Sequence, residues 1–258
     1  EIVMGTVKRF RIKSFKKQKP VVSLDNVSLS FGDRNILKNI SFNIEPGIYG
    51  LLGPNGSGKS TLFNLITGNL KPDSGSIYFG ETIATDIPIY LRTRMFNIGF
   101  VPQIGGIFHS LTLLDNLKCI GEILIKDKRE MDSKINYLIN KFDLDDIKNI
   151  KAANLSGGEK RKTAIAAALL GDPKIILLDE PFAALDILTI QMLQKIIVDL
   201  QVEHHSMCVL LADHQPRELL AVCDKALILS NSHIVAEGSP NELLNNVHAR
   251  KHYFGDKF

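Results

Sequence analysis

Nine consecutive residues, Gly53, Pro54, Asn55, Gly56, Ser57, Gly58, Lys59, Ser60 and Thr61, combine small backbone-exposing positions with one ammonium and several hydroxyls. Such a run can wrap backbone N–H groups around a polyphosphate, set Lys59 on the terminal phosphates and offer the Ser60 hydroxyl to Mg²⁺. Apolar Ile48–Leu52 precedes it as a strand, and Leu62–Gly68 follows with helical character. The helix N-terminus then adds positive potential where phosphates would sit. A glycine-rich surface turn would require neither flanking element.

Two further strings carry chemistry. Ile175–Leu178 reads as a buried strand that delivers Asp179 and Glu180 at its end. A solvated turn can look the same, but beside a phosphate loop the pair suits two tasks. Asp179 would hold Mg²⁺ through its water shell, and Glu180 would polarise an attacking water. In Leu155-Ser156-Gly157-Gly158-Glu159, Ser156 and Glu159 form a capping box that starts a helix running through Leu170. The doubled glycine strips side chains from that N-terminus, so the phosphate of another molecule could approach bare N–H groups.

The elements that must position these groups alternate strand and helix, as an α/β protein with a mostly parallel sheet requires. Val21–Phe31 and Ile40–Ile44 read as an antiparallel lead-in, and Ile98–Val101 and Met207–Ala212 as further buried strands. Each buried strand ends at a polar residue, and ligands of open α/β sheets bind beyond the carboxyl ends of the strands. Gln103, the Asp179-Glu180 pair and Asp213 with His214 should therefore converge. From Phe108 to about Asn154 the pattern turns helical, with Leu113–Ile125 and Asp132–Phe142 as the clearest stretches. Ala226–Ser230, the turn Asn231-Ser232 and Ile234–Glu237 predict a hairpin. Ser239, Pro240 and Glu242 supply the cap, first-turn proline and box carboxylate of a terminal helix. The expected organisation is a basic tail (1–20), a nucleotide-binding core (21–105 and 155–240), a helical subdomain (106–154) and a C-terminal helix and tail (241–258).

Composition bounds the reading. With 258 residues, 45% hydrophobic and 23% charged, the chain is neither a miniprotein nor disordered or fibrous. Its longest apolar run, Ala164–Leu170, is seven residues, whereas a spanning helix needs about 20. Cys119, Cys208 and Cys223 have neither metal-ligand spacing nor an even count, and the first residues lack a secretory apolar stretch, so a reducing, cytosolic setting is expected. Met4 is a candidate start. The net charge of +3 is concentrated: Lys8, Arg9, Arg11, Lys13, Lys16, Lys17 and Lys19 stand against Glu1 alone, which leaves the rest mildly acidic. That tail could rest on anionic lipid or nucleic acid, or simply be solvated. The acidic body carries no nucleic-acid footprint.

With the Leu155–Glu159 pentad the sequence resembles the ATPase subunits of ABC transporters, over essentially all of residues 21–258. The resemblance implies a P-loop NTPase of ABC type: a RecA-like, mostly parallel core, an antiparallel β lead-in and an inserted helical subdomain. It implies ATP and Mg²⁺ as ligands, and a second copy of the chain whose Ser156, Gly157 and Gly158 close over the nucleotide in a head-to-tail pair. It makes Phe31 the adenine platform, unless that residue is strand-end core. Gln103 becomes a metal and water ligand on a mobile loop, Asp186 a contact across the pair, and His214 the switch that reads the γ-phosphate. Ala184 stands where the family often has serine, Ile187 where proline is common and Ala167 where arginine is frequent; none removes a phosphate or metal ligand, so an active ATPase is expected.

Within the family, Asp179–Ala183, Asp213–Glu218 with Leu219–Cys223, and Tyr253–Phe258 are similar to the ATPases of lipopolysaccharide exporters of Gram-negative inner membranes. The resemblance implies peripheral attachment to the cytoplasmic face through transmembrane permease subunits that dock near Phe108 and His109. Phe108 could instead pack in the helical core, and His109 replaces a frequent arginine. ATPases of branched-chain amino-acid importers share much of the chain, but the importer type more often has Glu-His-Asp where this chain has Asp213-His214. Soluble ABC ATPases acting on nucleic acid or ribosomes usually carry coiled coils or tandem units, and only about fifty residues separate Gln103 from the pentad here.

Overall fold

A computed structural model describes residues 21–254; the basic segment 1–20 and residues 255–258 lie outside it. In chain order the strands are β1 (Val22–Phe31), β2 (Arg34–Ile44), β3 (Gly47–Leu52), β4 (Ser74–Phe79), β5 (Thr82–Ile83), β6 (Ile98–Val101), β7 (Ile175–Asp179), β8 (Cys208–Asp213), β9 (Lys225–Ser230) and β10 (His233–Gly238). The helices are α1 (Lys59–Thr67), α2 (Ile89–Phe96), α3 (Leu113–Leu124), α4 (Lys128–Lys141), α5 (Gly157–Leu169), α6 (Ile187–Glu203), α7 (Pro216–Leu220), α8 (Pro240–Asn245) and α9 (Val247–Ala249).

Two sheets result. A six-stranded sheet has the order β10-β9-β3-β8-β7-β6, parallel throughout except for the antiparallel hairpin strand β10. A four-stranded antiparallel sheet, β2-β1-β4-β5, forms the lead-in. The lead-in is wider than the sequence suggests, because β2 starts at Arg34 and Gly-Ser-containing β4 gives little strand signal.

Strands β3, β7 and β8 are buried at every position, as central strands covered on both faces must be. Their successive side chains serve opposite cores. Tyr49, Leu51, Ile175 and Leu177 join Leu62 and Phe63 of α1 in a core against the antiparallel sheet. Ile48, Leu52, Ile176 and Leu178 join the residues of α3, α4, α5 and α6 on the other side. The helices of residues 106–154 thus share a continuous core with the parallel sheet. One isolated bridge, Thr112 with Lys151, ties the ends of that segment together.

Both expected capping boxes form, and two further caps accompany them. Thr112 and Asp127 accept N–H bonds at the starts of α3 and α4, and Ser156/Glu159 and Ser239/Glu242 make full capping boxes. Asn231 and Ser232 take positive φ in the β9–β10 turn, the geometry of a type I′ hairpin. No helix among the described residues is long and apolar enough to cross a membrane.

Candidate nucleotide-binding site

Strand register gathers the site. Leu52 lies opposite Asp213 and Asp179 opposite Ala212, so the chain leaves β3, β7 and β8 at one edge of the sheet. The loop after β3 ends at Gly58, which caps α1 with φ +104; a Cβ there would lie 2.9 Å from Leu37 Cδ2, so only glycine fits. No side chain caps α1, and its first turn holds no acid. The orphan N–H groups and the dipole are therefore available to an anion. Lys59 Nζ donates to the carbonyls of Gly53 (2.7 Å) and Pro54 (3.1 Å). Burial pulls this ammonium below its ordinary pKa, against the opposing pull of Glu180, Asp179 and Asp213. A cleft of about 360 Å³ opens here, lined by Asn55, Gly56, Lys59, Ser60, Gln103 and Glu180 among others.

Asp179 is 3% exposed, and its Oδ1 has no hydrogen-bond partner. The Ser60 hydroxyl bonds its carboxyl, while burial raises its pKa. A buried, under-satisfied carboxylate oxygen beside a hydroxyl is a donor set for a hard cation. Among the described residues no group of three or more His, Cys, Asp or Glu side chains forms a metal cage. Mg²⁺ needs none, since it is usually held by one or two protein groups plus phosphate and water.

Glu180 follows in a left-handed conformation, φ 48, its N–H donating to Ala212 O at 2.7 Å. Gln103 Nε2 donates to its Oε2 at 2.8 Å, and His214 Nδ1 lies 3.5 Å from its Oε1. The fully buried Asp213 orients the histidine: Oδ1 accepts from the N–H groups of His214 (2.7 Å) and Gln215 (3.0 Å), and Oδ2 from that of Phe182 (3.3 Å). Burial nonetheless raises Asp213. Tyr253 Oη donates to the His214 carbonyl at 3.1 Å, and burial pushes its pKa up to about 12. Gln103, Glu180 and His214 thus meet as the sequence suggests.

The pentad stands elsewhere. Ser156 and Gly157 are exposed at the start of α5, and neither they nor Gly158 line the cleft of their own chain. The two glycines differ. A Cβ on Gly158 would fall 2.8 Å from Thr189 Cγ2, whereas on Gly157 its nearest neighbour would be Leu185 at 3.9 Å. Gly158 therefore also serves close packing of α5 on α6, whereas the space beside Gly157 is open. Asp186 is an N-cap: Oδ1 accepts from Thr189 N (3.0 Å) and Oδ2 from Thr189 Oγ1 (2.6 Å). Phe31 is 52% exposed at the end of β1, so it is not core; it pairs with Arg34, which lines the cleft. Phe108, 54% exposed, is not packed in the helical core either. Arg161, which no motif marks, is a further member of the site: its guanidinium reaches backbone carbonyls beside both Gln103 and Glu180.

A phosphate loop, buried Asp179 and a braced Glu180 at one sheet edge define a nucleoside-triphosphatase. Residues 37–183 match the family model described as ABC transporter. The lipopolysaccharide export system ATP-binding protein LptB of Escherichia coli (strain K12) is 37% identical over 237 residues, covering 90% of this chain and 96% of its own. LptB of Acidithiobacillus ferridurans is 35% identical over 230 residues, covering 89% and 94%. The ADP conformation of MJ1267, an ATP-binding cassette of an ABC transporter, superimposes with a TM-score of 0.80 at 26% identity, covering 92% of this chain and 99% of that one. The dimeric post-hydrolysis state of the cassette MJ0796, bound to ADP and Pi, gives 0.76 at 28% identity, covering 85% and 98%. The chain belongs to the ABC transporter family, as an ATP-binding and ATP-hydrolysing subunit.

Proposed function

We propose that this subunit powers lipopolysaccharide extraction from an inner membrane, working as an ATP-sandwiched pair beneath transmembrane partners. The 35–37% identity to LptB proteins supports export over amino-acid import. The observation that carries the mechanism is Glu180 braced by Gln103 and His214 at the cleft that Lys59 lines. In this reading Glu180 polarises a water, which attacks the γ-phosphorus; the water's proton passes to Glu180 and ADP leaves with the bridging oxygen. Lys59 and the α1 N–H groups hold the phosphates, Gln103 and His214 orient the base and sense the γ-phosphate, and Phe31 stacks on adenine. Asp179, Ser60 and Gln103 would hold Mg²⁺, which when bound offsets phosphate charge.

The exposed Ser156-Gly157 end, which does not line its own cleft, supports a second copy's nucleotide as its ligand, with Asp186 as a cross-pair contact. The dimeric post-hydrolysis state of MJ0796, bound to ADP and Pi, supports pairing of such cassettes. ATP then favours the closed pair and hydrolysis releases it, a population shift that moves the partners' helices. Docking near Phe108 and His109 would keep the subunit peripheral to the cytoplasmic face. The test is gel filtration of the Glu180→Gln protein with ATP·Mg and with ADP·Mg. A dimer with ATP and a monomer with ADP is expected; equal behaviour with both contradicts the shift. Native-membrane affinity purification, with permease subunits and lipopolysaccharide identified in the complex, tests the transport role.

A further inference from the structure

We propose that Arg161 is a positioning residue for hydrolysis, its guanidinium holding the backbones of Gln103 and Glu180 at the separation their side-chain bond requires. This rests on the reading of Glu180 as the base. Strands β6 and β7 are paired as far as Val101 with Leu178. Beyond that point the two chains run on as Pro102-Gln103 and Asp179-Glu180 with no ladder between them, and Arg161 stands in for it. Nη1 donates to Pro102 O at 2.9 Å and leans toward Asp179 O at 3.5 Å; Nη2 donates to Gln103 O at 3.1 Å and Glu180 O at 3.2 Å. Each nitrogen therefore spans the gap, reaching one carbonyl on either side.

Two features make that clasp consequential. Glu180 is held in a left-handed conformation that a non-glycine residue adopts only when its surroundings over-determine it. Its N–H is anchored on Ala212, and its carbonyl accepts from Ala183 N (3.3 Å) and from Arg161, which is the one side chain among these three restraints. Arg161 also lies on α5, just over one turn from Ser156 and Gly157. A ligand that draws on the exposed start of α5 thereby acts on the helix that fixes the base. A planar fork is needed, because one ammonium cannot span four carbonyls spread over two chains.

The experiment compares Arg161→Lys and Arg161→Gln with the parent chain, each alone and combined with Glu180→Gln. Readouts are kcat and KM for ATP·Mg, with folding checked by circular dichroism. Both single variants should lose kcat by about ten- to a hundredfold, the scale of a small misplacement of a reacting group, while KM moves by no more than about threefold. Added to Glu180→Gln, they should lower the residual rate by less than about twofold, because residues acting as a unit are not additive. Parental kcat in a folded Arg161 variant, a loss carried by KM, a multiplicative loss in the double variant, or failure of both single variants to fold would each overturn the proposal. Undiminished hydrolysis by Glu180→Gln alone strikes instead at the reading of Glu180 as the base.

Discussion

Gln103 and Glu180 leave neighbouring parallel strands and meet side chain to side chain, Nε2 donating to Oε2 at 2.8 Å. With His214 at the other oxygen, the carboxylate is braced on two sides. The loop after β6 and the end of β7 therefore act on one group, although more than seventy residues separate them in sequence.

Glu180→Gln keeps the shape of that brace but removes the proposed base. Turnover should fall by about a hundred- to ten-thousandfold, with ATP affinity within about threefold of the parent, measured by steady-state hydrolysis and nucleotide titration. Gln103→Ala leaves the proposed base but frees one oxygen, so its smaller loss, about tenfold, should appear in kcat.

Asp179 is a source of instability that function retains. Burial raises its native pKa above the unfolded value of about 4. Between the two values the native state binds more protons, so stability is fullest below the unfolded pKa and falls as pH rises through the native one. Asp179→Asn should therefore raise the melting temperature at pH 7 by about 2–4 °C, with the gain vanishing near pH 4, while hydrolysis is lost. An unchanged melting profile would remove the buried charge as a cost.

Phe108 is presented rather than packed. Buried Asn116 grips its backbone from both sides, accepting from Phe108 N at 2.6 Å and donating to Phe108 O at 3.0 Å. Phe108→Ala should keep the parental melting temperature within about 1 °C, as exposed substitutions generally do, and retain ATPase activity. Co-purification with membrane partners from native membranes should be lost; undiminished co-purification would place docking elsewhere.

Arg92 carries structural weight. At 1% exposure its guanidinium donates to the carbonyls of Leu65 (2.7 Å) and Ile66 (3.2 Å) in the last turn of α1, and also to Ile87, Ala84 and Thr85. Arg92→Met strips a partner from all five carbonyls, of which only Leu65 and Ala84 keep another, from Gly68 N and Ile87 N, and a loss of about 3 kcal/mol is expected. Thermal melting should fall by roughly 6–12 °C; a fall under about 2 °C would mean that water or a neighbour satisfies the carbonyls.

Arg92 also explains why α2 is hard to read from sequence. That helix buries its arginine while exposing Ile89, Tyr90, Leu91 and Met95, the inverse of an amphipathic pattern. Strands β4 and β5 were equally obscure: the first opens on Ser-Gly-Ser, and the second has two residues. By contrast β3 is apolar throughout, β7 and β8 are apolar up to their terminal aspartates, and the caps at Ser156 and Ser239 are local hydrogen-bond patterns that span only a few residues.

What residue order alone determined was the glycine-rich loop after β3, the acids at the end of β7, the capped starts of α5 and α8, and the parallel core that carries them. Each depends on interactions within a few positions or on the burial preference of a single run. The tertiary structure decided that Gly158 of the pentad packs closely against Thr189, that Phe31 and Phe108 face outward, and that Arg161 spans two strand exits. Those facts arise from contacts between segments distant in sequence, where the distance between two backbones, and not the identity of either residue, sets the outcome.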